Sequence, residues 1–285
     1  SATRTGRTIQ AQGGKFVCDR GSSHIRYQNR ILAEEHKRWG LTFRGIDPRF
    51  MSREEEEYNF SDRITVPSDF VCRSFQESGI PADRLAKIPY GARLDRFSKV
   101  GEPDSKSFTV LWVGGVSVRK GFLDAFDAFR KLQHPAKKFR VIGSVEASVK
   151  RLLQGRDLSQ VSFEGIVPNH ELPRIYSSSH VFVLPSVEEG LAMVQGEALA
   201  CGCPVIASEN TGGRDLFTPG VEGFEVPIRS PEQIAEHLQQ LADNPALRRR
   251  MSDAALLQVQ SIGGWDSYGD QFAQMLRQLH EEKVE

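Results

Sequence analysis

The stretch Val181-Phe-Val-Leu-Pro-Ser186-Val-Glu188-Glu189-Gly190-Leu-Ala-Met-Val-Gln-Gly-Glu197-Ala-Leu-Ala-Cys-Gly202-Cys-Pro204-Val-Ile-Ala-Ser208 places two short apolar runs on either side of a segment of small and apolar residues. Runs 181–184 and 204–207 are nearly continuous in apolar character, as strands buried on both faces of a parallel sheet are. The intervening 191–200 suits a helix crossing between them. Working outward, the same alternation holds from Phe108 on, with strands predicted at 109–113, 139–142, 161–165 and 223–226 and helices at 121–132, 147–153 and 170–177. This pattern predicts a doubly wound α/β domain, whose ligands sit at the carboxyl ends of its strands. Helices at 231–243, 245–260 and 265–282 complete the chain.

Upstream, residues 1–100 read as a mixed segment: a short apolar run 15–18, a helix over 26–39, and a second helix around Glu54–Glu57, whose acidic run is a solvated face. A strand follows at 63–67, with Ser68 and Asp69 placed to cap a helix through Glu77. The breaker-rich stretch 99–106 reads as a linker. The reading divides the chain into 1–104, a partial amino-terminal domain with its linker, then 105–265, then a carboxy-terminal helix 266–285 that can cross back to the first domain.

Thirty-seven basic residues balance thirty-seven acidic ones, which argues against a nucleic-acid partner and leaves local clusters to decide the chemistry. Cys18, Cys72, Cys201 and Cys203 form no C-x-x-C pair and read as reduced thiols of a cytoplasmic protein. No apolar run is long enough to span a bilayer, although Arg4, Arg7, Lys15, Arg20, Arg26 and Arg30 leave a peripheral membrane contact open.

Two motifs carry chemistry. The strand ending at Val113 runs into Gly114-Gly115-Val-Ser-Val-Arg119-Lys120-Gly121, where glycines admit a ligand close to the backbone and two cations precede a helix, as a diphosphate requires. Neither the dinucleotide fingerprint nor the P-loop is matched, since Lys120 precedes its glycine. In the second motif Glu189 and Glu197 lie eight apart. With Glu189 just before a helix, roughly 800° of rotation brings both carboxylates within about 80° of each other and lets them line one cleft.

Val113-Gly114 with Arg119-Lys120-Gly121, Phe163-Glu-Gly165, Pro185-Ser186 with Glu189-x7-Glu197, Ala200-x-Gly202-x-Pro204-Val205, Thr211-Gly212-Gly213 and Gly220-x-x-Gly223 follow one another in an order and spacing that resembles the retaining glycosyltransferases of the GT-B fold, glycosyltransferase family 4 in particular. A weaker resemblance covers 62–97, through the strand at 63–67 and Ile88-Pro-Tyr-Gly91-Ala-x-x-Asp95-x-x-Phe97.

The resemblance implies that Arg119 and Lys120 bind the donor's diphosphate and neutralise the leaving group, and that Glu197 accepts hydrogen bonds from the ribose hydroxyls. It also implies that Glu189 holds the sugar together with the amides of Gly190, Leu191 and Ala192 at a helix start. Gly114 and Gly115 line the phosphates, Thr211, Gly212 and Gly213 form a second loop beside them, and Val167 and Pro168 face the base. His24 is the candidate for a donor-sugar contact from the first domain. The family usually carries arginine where this chain has Gly115, and an aromatic-glycine step where it has Leu191-Ala192-Met193.

The expected activity is transfer of a hexose from a UDP- or GDP-type donor to a hydroxyl acceptor, which would be a saccharide, a lipid or a small molecule. No cofactor and no metal is expected, because D-x-D is absent from the chain. A non-catalytic nucleotide-sugar subunit and a sugar-nucleotide epimerase on the same fold are the competing readings. About a hundred residues are too few for a complete doubly wound domain, so the chain is expected to lack the start of its acceptor domain, to bind nucleotide, and to transfer sugar poorly.

Overall fold

A computed structural model describes residues 2–91 and 94–282; Ser1, Ala92 of the 88–97 motif, Arg93 and 283–285 lie outside the described residues. By internal contacts the chain divides into two compact units, Ser1–Gly91 with Gly263–Glu285, and Ala92–Ile262.

The first unit contains α1 (Ala2–Ala11), β1 (Val17–Asp19), α2 (Ile25–Arg38), α3 (Pro48–Phe60), β2 (Arg63–Val66), α4 (Asp69–Glu77) and β3 (Leu85–Lys87). Its three strands are parallel, in the order β1-β2-β3. Ser68 caps α4 by accepting from the Val71 amide at 3.3 Å, and Asp47 with Pro48 opens α3. Ile25, Tyr58, Ile64, Val66, Phe70, Val71 and Phe75 form the core between sheet and helices.

Sequence patterning missed α1 and β3. α1 carries three threonines and Gly6, and it docks through that glycine: a Cβ at Gly6 would lie 2.6 Å from both Phe16 and Phe60. Tertiary packing, and not propensity, makes the helix. The acidic run of α3 is also less solvated than its sequence suggests, since Glu54, Glu55 and Glu56 pair with Arg20, Arg26 and Arg7.

The second unit contains β4 (Phe108–Val113), α5 (Phe122–Lys131), β5 (Lys137–Ile142), α6 (Ala147–Leu152), β6 (Val161–Gly165), α7 (Leu172–Ser177), β7 (Val181–Leu184), α8 (Val194–Ala200), β8 (Val205–Ser208), β9 (Gly223–Val226), α9 (Pro231–Asp243) and α10 (Pro245–Gln258). Its six strands are all parallel and ordered β6-β5-β4-β7-β8-β9. Every residue of β4, β7 and β8 is buried, which explains why these strands read as unbroken apolar runs.

Trp112, Phe122, Phe126, Phe129 and Phe139 are almost fully buried, with Phe122 stacked on Phe139 at 5.7 Å; burying such a ring is worth about 1.5–3 kcal/mol. The stretch read as a linker packs on this unit: the Val100 amide donates to Ser177 Oγ at 3.0 Å, and Lys99 Nζ donates to Ser252 Oγ at 3.5 Å.

The last helix, α11 (Trp265–Glu281), belongs by its contacts to the first unit. Its Met275 and Leu279 bury against Ile88, with Val17 and Ala86 packed alongside. Strand order in the second unit reverses between β4 and β7, the next strand in sequence after β4 being β5 on its other side. A ligand crevice belongs outside the carboxyl ends of strands at such a switch point.

Candidate functional site

Two loops leave that switch point, one after β4 and one after β7, and backbone bonds join them. The Val187 amide donates to the Arg119 carbonyl at 2.8 Å. Gly121, at φ 71°, sits where an added Cβ would lie 2.1 Å from the Pro185 carbonyl oxygen, so only glycine permits this approach. A Cβ at Gly143 would likewise meet the Gly114 carbonyl at 2.1 Å, which pins the first loop against the loop after β5. Beside Gly115, by contrast, an added Cβ would meet nothing within 4 Å.

The loops bring four charges together. Arg119 Nε lies 2.9 Å from Glu188 Oε2 and also donates to the Glu188 carbonyl at 3.1 Å. Lys120 Nζ donates to Glu189 Oε1 at 2.7 Å, and Ser186 Oγ donates to the same oxygen at 3.1 Å. The Arg119 terminal nitrogen is 4.0 Å from Glu189. Both cations reach solvent, at 39% and 25% exposure, whereas the Glu188 side chain is 0% exposed.

Glu189 and Glu197 do not share one helix. Glu189 lies in the loop, and α8 begins only at Val194, beyond Gly190, Leu191 and Ala192. The Ala192 amide is already committed, donating to the Thr211 carbonyl at 3.0 Å, and the helix begins at Val194 and not at Leu191. Gln195, fully buried, supports the same junction by donating to the carbonyls of Ala192 and Thr211. The Thr211 hydroxyl turns inward to the Ser208 carbonyl at 2.7 Å, and Gly212 takes a left-handed turn at φ 71°. Gly213 packs against Phe217 and Gln195.

Glu197, partly exposed, accepts from the Tyr176 hydroxyl at 3.0 Å. Burial raises its carboxyl above the ordinary value of 4.5, and the Tyr176 hydrogen bond opposes that rise. Val167 and Pro168 follow β6 on the surface, close in sequence to a cavity of about 500 Å³ lined by Gly143, Val145, Lys150, Phe163 and Gly165. A larger hollow, about 1100 Å³, lies along α1 and α3 in the first unit; its Arg7, Arg49 and Arg53 are paired with carboxylates, and it takes no residue from these loops.

His24 is corrected as a presented ligand. It is 3% exposed, its ring lies 5.0 Å from those of Tyr58 and Phe75, and its Nδ1 accepts from the Arg26 amide at the start of α2. Burial lowers its pKa to about 4, so it is a neutral core residue and helix cap. The sequence reading also missed Glu188, Gln195 and Asn210, whose Nδ2 donates to the Val187 carbonyl at 2.8 Å. Only Gln195 carried a signal, as a polar residue inside the apolar run 191–200 that calls for a buried partner; Glu188 and Asn210 lie in polar loop stretches. Among the described residues no three His, Cys, Asp or Glu side chains cluster as a metal site would, and no helix is long and apolar enough to cross a membrane.

Comparison with known proteins bears on this arrangement. Sucrose-phosphate synthase from Thermosynechococcus elongatus superposes with a TM-score of 0.79 at 23% identity, over 99% of this chain and 72% of that one. Anabaena HepE in complex with UDP gives 0.74 at 17% identity, over 97% and 76%. These likenesses show the fold, that of the GT-B glycosyltransferases. In sequence, the GDP-mannose-dependent monoacylated alpha-(1-6)-phosphatidylinositol monomannoside mannosyltransferase of Corynebacterium glutamicum is 26% identical over 240 residues, 76% of this chain and 62% of that protein. The chain spans between 53% and 62% of the length of such relatives. Residues 95–258, more than half of the chain and the whole of the two-loop site, match the family described as glycosyl transferases group 1, and the chain belongs to that family.

Proposed function

We propose that the second unit binds a nucleoside diphosphate sugar and that the protein transfers the sugar, with retention of configuration, to a hydroxyl acceptor. The observation that carries this reading is the pair Arg119 and Lys120, solvent-reaching and side by side at the switch point, each set against a carboxylate of the facing loop. A relative named for GDP-mannose and a structural neighbour solved with UDP support a nucleotide donor and leave the base open.

In this reading the diphosphate takes the place of Glu189 at Lys120, and the released carboxylate accepts hydrogen bonds from the sugar's hydroxyls. Arg119 and Lys120 stabilise the negative charge that grows on the leaving diphosphate as the glycosidic bond breaks. The departing phosphate oxygen accepts the proton of the incoming hydroxyl on the same face, which gives retention. Glu197 receives the ribose, and the base lies toward Val167 and Pro168. Phosphate charge is met by these cations without a resident metal, and the reaction takes place in the cytoplasm on a saccharide, lipid or small-molecule alcohol.

Calorimetry with UDP and GDP tests the reading. Arg119→Ala/Lys120→Ala is expected to lose at least about 3 kcal/mol, more than a hundredfold, for whichever nucleotide the wild type binds. EDTA is expected to leave the affinity unchanged. A double variant that binds as the wild type does would remove these residues from the site.

A further inference from the structure

We infer that Glu188 is a positioning residue that sets the charge of the phosphate cradle: it aims Arg119 and offsets part of its charge, so that a nucleoside diphosphate is held for reaction and still released. This rests on the reading that Arg119 and Lys120 hold the diphosphate.

The two carboxylates of the cradle differ in freedom. Glu189 is held through its side-chain contacts with Lys120 and Ser186 and is 12% exposed, so an arriving phosphate can take its place. Glu188 has no such latitude, because its side chain is fully buried, its own carbonyl accepts from Arg119, and the two residues before it are held by hydrogen bonds. The preceding Val187 donates its amide to Arg119 and accepts from Asn210, and the Ser208 hydroxyl donates to the Ser186 carbonyl. When the ligand displaces Glu189, the negative charge of Glu188 therefore stays behind Arg119.

Geometry makes that charge felt at the ligand. The carboxylate lies on the protein side of a guanidinium that is 39% exposed, out of reach of the water and ions that screen surface charges. Aim and charge are also separable. Arg119 Nε has two acceptors on this one residue, the carboxylate at 2.9 Å and the backbone carbonyl at 3.1 Å. Replacing the carboxylate by an amide keeps one side-chain oxygen able to accept from Nε, leaves the backbone carbonyl in place and removes the negative charge, while turning the second oxygen into a donor. A buried carboxylate carries a large desolvation cost even when paired, so this position is not explained by stability alone.

The test is titration of UDP and GDP into Glu188→Gln by calorimetry at several salt concentrations, with release followed by stopped flow. Binding is expected to tighten on the order of tenfold at low salt, mainly through slower release, and to depend more steeply on salt than in the wild type. A merely structural residue would not steepen the salt dependence. Equal or weaker binding by a folded Glu188→Gln chain overturns the inference.

Should that variant fail to fold, Arg119→Ala is compared with Lys120→Ala. Removing Arg119 uncovers the fixed charge, whereas Glu189 can turn away when Lys120 is lost, so the loss at Arg119 is expected to be larger by about tenfold; equal losses overturn the inference. The underlying reading fails separately, if Arg119→Ala/Lys120→Ala still binds nucleotide.

Discussion

At Glu197, burial lifts the carboxyl above its ordinary value of 4.5, and the Tyr176 hydroxyl, donating at 3.0 Å, offsets only part of that rise. A raised value in the folded state means that the folded chain holds this proton more tightly than the unfolded chain does. The stability this contributes is complete below 4.5 and is lost as the pH rises through the folded value. Glu197→Gln is therefore expected to melt above the wild type at pH 7.5 and level with it at pH 4, while its nucleoside diphosphate affinity falls by about 1.5–3 kcal/mol. A variant that melts below the wild type at pH 7.5 while binding equally well would show a structural residue instead. The spacing of Glu189 and Glu197 pointed to both residues, but not to their partners. Tyr176 is twenty-one positions from Glu197 and Glu188 is sixty-nine from Arg119, and only the folded sheet brings such pairs together.

The loop between β4 and α5 was legible because each end has a reason visible in sequence, glycine where the strand stops and glycine where the helix begins. Continuous apolar runs marked β4, β7 and β8 for the same physical cause, burial on both faces. What sequence misplaced was the start of α8, drawn later than periodicity suggests because the Ala192 amide goes to Thr211 in the neighbouring loop. The open space beside Gly115 gives this loop a further consequence. The residue lies outside the left-handed region, and a Cβ there meets nothing within 4 Å, so Gly115→Arg is expected to fold normally. As a third cation it should tighten nucleoside diphosphate binding by about tenfold, or 1.4 kcal/mol, in calorimetry. Unchanged binding by the folded variant would place the diphosphate away from Gly115.

Among the described residues each unit buries one neutral histidine, and burial lowers both His24 and His180 to about 4 from their ordinary 6.5. His180 Nδ1 accepts from the Thr109 amide at 2.9 Å, as His24 accepts at the start of α2. A depressed value means that the unfolded chain binds more protons, so this stability is complete above 6.5 and is lost as the pH falls through 4. Urea unfolding followed by hydrogen exchange should show β2 and β4 both weakening between pH 6.5 and 4. His180→Asn should flatten that slope in the second unit alone; an unaltered slope there would assign the acid sensitivity to other groups. The alternation of strands and helices made the second unit legible as a continuous piece of chain. The first was harder to read, because part of its core comes from α11, where Met275 and Leu279 cover Ile88. On the ribosome, that separation becomes a delay. Ile88 emerges early, yet the side chains that cover it arrive only after the whole second unit has been synthesised. At roughly 5–20 residues per second the nascent chain carries this uncovered apolar seam for roughly ten to forty seconds, a window in which a holding chaperone has something to bind.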